Sequence, residues 1–224
     1  LGDVYKRQAY DSVRGVNKRL YINGTNVEET ITTLSAFSHG GFRVEGSGGG
    51  ATNDNNDTYV GFCWRGGGAA VSNSDGTITS SISANTEAGF SIVSYTGNQT
   101  SGATVGHGLN AKPKWFIIKE LGNTNDWTVY HESLGSTGGG DTYVLFLNLT
   151  NDKGGGFAGG YNNTAPTSSV FSLGNSVETN RSGGSFIAYC WAEIPGFSKF
   201  GSYTGNGSTD GTYVHLGFRP AWVM

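Results

Sequence analysis

Charge is what this sequence lacks most. Asp, Glu, Lys and Arg make up 14% of its 224 residues and the formal net charge is −3, against roughly 25% charged residues in an average soluble domain. No basic surface is left for neutralising phosphates, which excludes nucleic acid as a partner. Four prolines among 38 glycines, with no G-X-Y period, exclude a collagen helix. Two cysteines are too few for a disulfide framework. No stretch stays apolar for the ~18 residues a membrane-spanning helix needs, no segment reads as a signal peptide, and membrane insertion is not expected. With so few charges, solubility falls to the abundant Asn, Ser and Thr.

What is there is repetition. Residues 89–98 read GFSIVSYTGN and residues 196–206 read GFSKFGSYTGN, one phrase with a single residue added. A self-similar chain is parsed by its period before anything else. In the first copy Phe90, Ile92 and Ser94 would lie on one face of an extended segment, and Ser91, Val93 and Tyr95 on the other. Thr96, Gly97 and Asn98 then supply a turn, with Gly97 free to take positive φ. The likeness runs on in both directions. Lys112-Pro113-Lys114-Trp115-Phe116 matches Arg219-Pro220-Ala221-Trp222-Val223. Residues 58–64 (TYVGFCW) match 185–191 (SFIAYCW), residues 9–15 (AYDSVRG) match 129–135 (VYHESLG), and residues 19–25 (RLYINGT) match 144–150 (VLFLNLT).

The step from Gly89 to Gly196 is a period of about 107 residues. It divides the chain into an extraneous tail (residues 1–8), an N-terminally truncated β unit (9–88), a complete β unit (89–195) and the start of a third (196–224). Alternatively, residues 196–224 are strands that complete the first unit. The tail, LGDVYKRQ, fits no part of the repeat and looks like translated adapter sequence, so it is expected to be poorly ordered. The fold class is all-β: antiparallel β-sandwich or jelly-roll units in tandem, truncated at both ends. Strands about 8–12 residues apart, turn residues between them and no convincing helix carry that expectation. A β-solenoid would need a much shorter period.

Along the chain, residues 19–23 read as a short strand with Leu20 and Ile22 on one face, and residues 36–44 as strand, Gly turn and strand. Residues 27–34 stay ambiguous, because Thr30 to Thr33 is β-branched but follows two glutamates. Residues 46–57 form a loop. Residues 59–64 have both alternating rows apolar or aromatic and predict a buried central strand. Residues 72–77 (SNSDGT) predict a hairpin turn between two small-residue strands. Residues 114–120 make the most hydrophobic strand, started by Pro113, and residues 127–130 and 143–149 are two more. Residues 151–164 are a Gly/Asn-rich loop around Phe157 and Tyr161.

Residues with catalytic or metal-binding chemistry are few and scattered. His39, His107, His131 and His215 sit in no metal-binding spacing, and His107, between two glycines, reads as a turn histidine bonded to backbone. Asp11 and Glu132 nearly align between units, but no second acid recurs with them, so a glycosidase pair has no support. Asp54, Asp57, Asp141 and Asp152 lie in Gly/Asn loops that read as solvated turns, with Ca²⁺ ligation the alternative. Residues 138–140 and 154–156 are not phosphate loops, since neither is followed by GK[ST]. Cys63 and Cys190 hold equivalent positions a unit apart, which argues against their pairing and for buried free thiols packed beside Trp. No catalytic set, metal site or cofactor is expected.

The aromatics divide in two. Trp64, Trp191, Trp115 and Trp222 fall on predicted strands in equivalent pairs, as core residues do. Trp127, Phe157, Tyr161 and Tyr95 lie nearer loops, and a ring platform beside amides is what a sugar-binding patch requires. The candidate ligand-binding residues are Trp127, Phe157, Tyr161, Asn162 and Asn163.

Several longer phrases together carry a resemblance: YDSVRG (10–15), TYVGFCW (58–64), residues 72–98, TVGHGLNAKPKWFIIK (104–119) and NNTAPTSSVFSLG (162–174). With these, most of the chain past residue 9 resembles a family of repeated β domains in structural proteins of marine bacteriophages, in tail-fibre or virion-appendage settings. The chain departs from the pattern at Ile194-Pro195, where the segment that follows Trp64 is missing. The resemblance implies a lectin-like or laminin-G-like sandwich on a virus particle, made in the host cytoplasm and extracellular thereafter, with no catalytic residues known. Its implied partners are other virion proteins or copies of itself, and a host-surface glycan. The alternative is a carbohydrate-binding or glycan-active module of a bacterial surface or secreted protein.

Overall fold

Short runs of β-branched and aromatic residues, cut every few positions by Gly, Asn or Ser, fold into strands and little else. The computed structural model describes residues 7–45, 52–135, 143–153 and 157–224. In chain order these contain β1 (Gln8–Ala9), β2 (Lys18–Tyr21), β3 (Glu29–Thr30), β4 (Leu34–Ser38), β5 (Gly41–Val44), β6 (Val71–Asn73) and β7 (Ser80–Asn85). Then come β8 (Phe90–Thr96), β9 (Ala103–Gly106), β10 (Pro113–Glu120), β11 (Thr128–His131), β12 (Leu145–Phe146), α1 (Ala158–Tyr161), β13 (Val170–Leu173), α2 (Val177–Asn180) and β14 (Ser185–Ala192). Both helices are single turns. The chain is nearly all β, as expected.

One seven-stranded sheet organises the molecule, in the order β12-β11-β10-β14-β8-β7-β6, every neighbour antiparallel. Its central strand is β14. Phe186, Ala188 and Cys190 of β14 enter one core, and Ile187, Tyr189 and Trp191 enter another on the opposite face. A strand apolar on both rows requires cover on both faces, and both are covered. On the first face the antiparallel β9–β13 ribbon lays Ala103, Val105, Phe171 and Leu173 over the sheet. There Phe116 stacks between Tyr130 (4.6 Å) and Phe171 (5.2 Å). On the second face the N-terminal segment brings Leu20, Val13 and Ile22, and Phe200 arrives from beyond β14. This is sandwich packing around a two-sided sheet. Phe90 and Ile92 face the second core, and Val93 and Tyr95 the first, as the alternation predicts.

The turn after β8 needs glycine for a different reason than predicted. Gly97 exchanges backbone bonds with Gly183 and Gly184, both at 2.9 Å. A Cβ there would stand 2.4 Å from the Arg181 carbonyl oxygen. Close backbone approach, rather than positive φ, excludes a side chain; Gln99 is the residue that turns left-handed, at φ 57.

The sequence repeat is partly a structural one. Gln8 and Ala9 pair with Tyr21 and Leu20, while Thr128 and Val129 pair with Phe146 and Leu145. These are the residues the sequence match makes equivalent. The Arg7 N–H donates to Asn23 Oδ1 and the Trp127 N–H to Asn148 Oδ1, each at 2.9 Å. Ile22 N bonds the Arg7 carbonyl and Leu147 N the Trp127 carbonyl, at 2.9 and 3.0 Å. Even the turns that follow agree: Asp11 Oδ1 accepts from Val13 N, and His131 Nδ1 from Ser133 N.

Elsewhere the copies part. Residues 59–64 are not a buried central strand; they form no strand, and Phe62 is 62% exposed where its equivalent Tyr189 is buried. The pattern fits a central strand, but no strand flanks it on either edge. Residues 197–204 and 219–224, equivalents of β8 and β10, are likewise outside any strand. Residues 143–149 give only the two-residue edge strand β12, half-buried. The 151–164 loop contains α1, and residues 154–156 lie outside the described residues. Of the expected tail, residues 1–6 lie outside the described residues, whereas Gln8 is in β1. The hairpin turn at 72–77 is found between β6 and β7.

Candidate functional site

Each ring nominated from the sequence has a definite place, and most turn inward. Trp127, just before β11, is fully buried on the second face, where its Nε1 donates to the Tyr21 carbonyl at 2.9 Å. Tyr161, at the end of α1, is buried on the first face, edge-on to Phe116 (5.3 Å) and Phe157 (5.5 Å). Burial pushes its hydroxyl pKa up. Phe157 is half-buried and tilts against Phe146 at 6.3 Å. Asn162 and Asn163 take φ of 55° and 47°, the left-handed region that Asn tolerates better than most residues. The Asn162 amide oxygen accepts from Ser101 Oγ at 2.9 Å.

Phe157, Tyr161, Asn162 and Asn163 therefore meet in one corner, and Trp127 lies across the sheet from them. The amides of that corner reach solvent; the rings of Trp127 and Tyr161 do not. No sugar stacks on them without opening a core. Reading loop position as exposure misplaces these rings, because the one-turn helix α1 folds Tyr161 back under itself.

The buried carboxylates are occupied by arginines, and the buried Lys119 ammonium donates to the Glu120 and Asn123 carbonyls. Asp11 accepts from Arg14 Nε, from the N–H groups of Val13 and Arg14, and from Tyr189 Oη at 2.7 Å. Burial works against the Arg14 charge, but Tyr189 and the Asp11 carboxylate more than offset it and raise its pKa. This junction ties the N-terminal segment to the central strand. Glu120, also fully buried, accepts from Asn123, Asn125 and Arg181. His107 is buried too: its Nδ1 accepts from the Leu109 N–H and its Nε2 faces the Thr167 carbonyl at 3.3 Å. Burial lowers its pKa to about 4, so it is neutral and structural at pH 7. Cys190 is the expected buried free thiol, its pKa pushed up by burial, whereas Cys63 is free but exposed, because residues 58–65 have no flanking strands to cover it. Among the described residues no group of three or more His, Cys, Asp or Glu is assembled to hold a metal ion. Asp141 lies outside them.

Two surface features escaped the sequence reading. The first is a shallow groove of about 340 Å³ beside the β6–β7–β8 edge. Ser72, Ser81 and Ser94 stand side by side across the three strands, with Thr79 and Thr96 nearby. Tyr95 also lines it, but that ring is buried in the first core, so the groove offers hydroxyls and no stacking platform. Its signal in the sequence was the Ser/Thr at alternate positions of residues 72–96. The second is a tract of exposed rings. Phe62 lies 5.8 Å from Trp222, Trp64 lies 6.3 Å from Trp222 and 5.7 Å from Trp191, and Tyr59, Tyr203 and Tyr213 are exposed as well. Trp64 and Trp222, expected in the core, are 46% and 51% exposed.

Fold and surface together define a class: an antiparallel β-sandwich protein whose large sheet is buried on both faces and whose buried carboxylates Asp11 and Glu120 are each paired with an arginine. The chain belongs to the family described as "Domain of unknown function (DUF7483)", which matches residues 3–224. No curated protein matches the chain, and no solved structure does.

Proposed function

We propose that the chain is a non-enzymatic structural and adhesion module of a phage tail fibre or other virion appendage, located outside the cell on the particle. The observation that carries this reading is repetition with preserved pairing: β1–β2 and β11–β12 share register, side-chain caps and turn bonds. A module that recurs along a chain is suited to building length and to multiplying weak contacts, which favours avidity over single-site affinity. The resemblance of residues 58–64, 72–98 and 104–119 to phage structural repeats supports the setting. A host-surface glycan is the proposed external ligand, met by the solvent-facing amides of Asn162 and Asn163 beside Ser101. Phe157 and Tyr161 serve beneath them as support.

Glycan-array binding of the full chain, multimerised on a carrier, tests the adhesive half. Binding at millimolar sugar, reduced at least tenfold by Asn162→Gly with Asn163→Gly, is expected. Glycine keeps the left-handed backbone and removes only the amides. No binding by the multimer would leave a pure scaffold. A second reading, a carbohydrate-binding module of a bacterial surface or secreted protein, is favoured by the hydroxyl-lined groove at Ser72, Ser81 and Ser94. The genes flanking this one separate the two settings: capsid, portal or tail genes support the virion.

A further inference from the structure

We propose that residues 58–65 are a docking strand for a second copy of this chain, whose residues 196–204 and 219–224 add to its two edges in the register that β8 and β10 keep with β14. This deepens the structural reading above, on which it rests, by naming the partner. The template is inside the molecule. β14 lies between β10 and β8, with Trp115 and Phe90 both opposite Trp191, Phe116 opposite Cys190, and Tyr95 opposite Phe186. Residues 58–65 carry the β14 pattern, and residues 219–223 repeat the basic-Pro-x-Trp opening of β10. Pro220, like Pro113, would start its strand where the missing N–H costs least.

Three observations show the site to be open and the match to be one-to-one. Among the described residues no backbone–backbone hydrogen bond engages residues 58–66 or 199–224, while the Phe197 and Ser198 N–H groups turn back to the Ile194 carbonyl. Side chains hold the Arg65 carbonyl, the Phe200 N–H and the Thr204 carbonyl, and no ladder bond occupies either row. An unpaired edge flanked by exposed apolar side chains is a template for strand addition. Apolar side chains are exposed where the partner would lie: Val60 is 81% and Val223 77% exposed. Each chain also carries one acceptor strand and one donor pair, far apart in sequence. Its own donor reaches the acceptor only through rings, with Trp222 edge-on to Trp64 at 6.3 Å where Trp115 stacks flat on Trp191 at 4.0 Å. Within one copy the ladder is not made. Between copies the contact is heterologous, head to tail, and such contacts generate open chains of subunits rather than closed dimers.

The register puts Cys63 opposite Val223 of the other copy, as Cys190 lies opposite Phe116. Val223→Cys in the full chain, under mild oxidation, is expected to give a ladder of disulfide-linked oligomers that collapses on reduction. Cys190, being buried, stays out of it. Adding Val60→Lys and Phe62→Lys should abolish the ladder, with thermal stability unchanged because both side chains face solvent. Thr209→Cys, outside the register, should cross-link at least tenfold more slowly. The unmodified chain should gain mass with concentration in sedimentation. A cross-linked monomer would overturn the proposal in favour of closure on the same chain. No cross-link, or a ladder that survives the two lysines, would overturn the register and the docking alike. Neither result touches glycan binding, which is read separately.

Discussion

β14 and residues 58–65 are nearly the same sentence, SFIAYCWA and TYVGFCWR, with opposite fates. The first is the central strand of a seven-stranded sheet, buried on both faces; the second has no backbone partner among the described residues and shows its rings to solvent. The alternation of apolar residues is a capacity, and only neighbouring strands turn it into burial. β14 receives β10 and β8, both within the preceding hundred or so residues, as its two neighbours. The contrast with β1–β2 is equally instructive, because that hairpin contains both its strands and reproduces β11–β12 bond for bond.

The sharpest way to break the comparison is to truncate equivalent residues. Phe186→Ala should cost about 3–5 kcal/mol, as for other large core aromatics, while its equivalent Tyr59→Ala should stay within about 0.5 kcal/mol. Denaturant midpoints decide it, and equal losses would mean that residues 58–65 are buried in solution. Next is the junction that holds the N-terminal segment to β14. Asp11→Ala removes the carboxylate that accepts from both the buried Arg14 guanidinium and the Tyr189 hydroxyl, leaving Glu28 at 3.3 Å as the remaining acid beside Arg14, at a cost of about 3 kcal/mol, the low end for a broken buried pair. Its counterpart in the sequence match, His131, makes no such ion pair with the sheet.

pH gives a smaller effect. The native pKa of His107, about 4, lies below its unfolded value of 6.5. Its neutral form is therefore favoured by folding, and that contribution is complete above pH 6.5 and shrinks as pH falls toward 4. Between pH 6.5 and 5 the loss should be about 2 kcal/mol, measured by denaturation at each pH. His107→Gln should flatten most of that slope. The residue comes from His131, whose pKa burial also lowers. Smallest in energy is thiol reactivity: one thiol per native chain, Cys63, should react at once, and Cys190 only on unfolding. Two fast thiols would place β14 outside the core.

Much of the fold was legible. The 72–77 hairpin, the faces of Phe90 to Tyr95 and the strand after Pro113 follow from turn chemistry and period-two alternation, which act over a few residues. The candidate site was less legible. Tyr161 and Trp127 sit in stretches that look like loops, and what buries them is contact with Phe116 and Tyr21, distant in sequence. The hydroxyl groove needs three strands side by side before it exists.

By itself, then, the order of residues determined that this chain makes short antiparallel strands, that it repeats, and which side chains each strand turns to either face, because those choices are local. Tertiary structure alone decided which copy of each phrase is buried, since a ladder needs a second strand and a core needs two layers. Where both were within reach the phrase became the centre of a sheet; where they were not, the same pattern remained a surface.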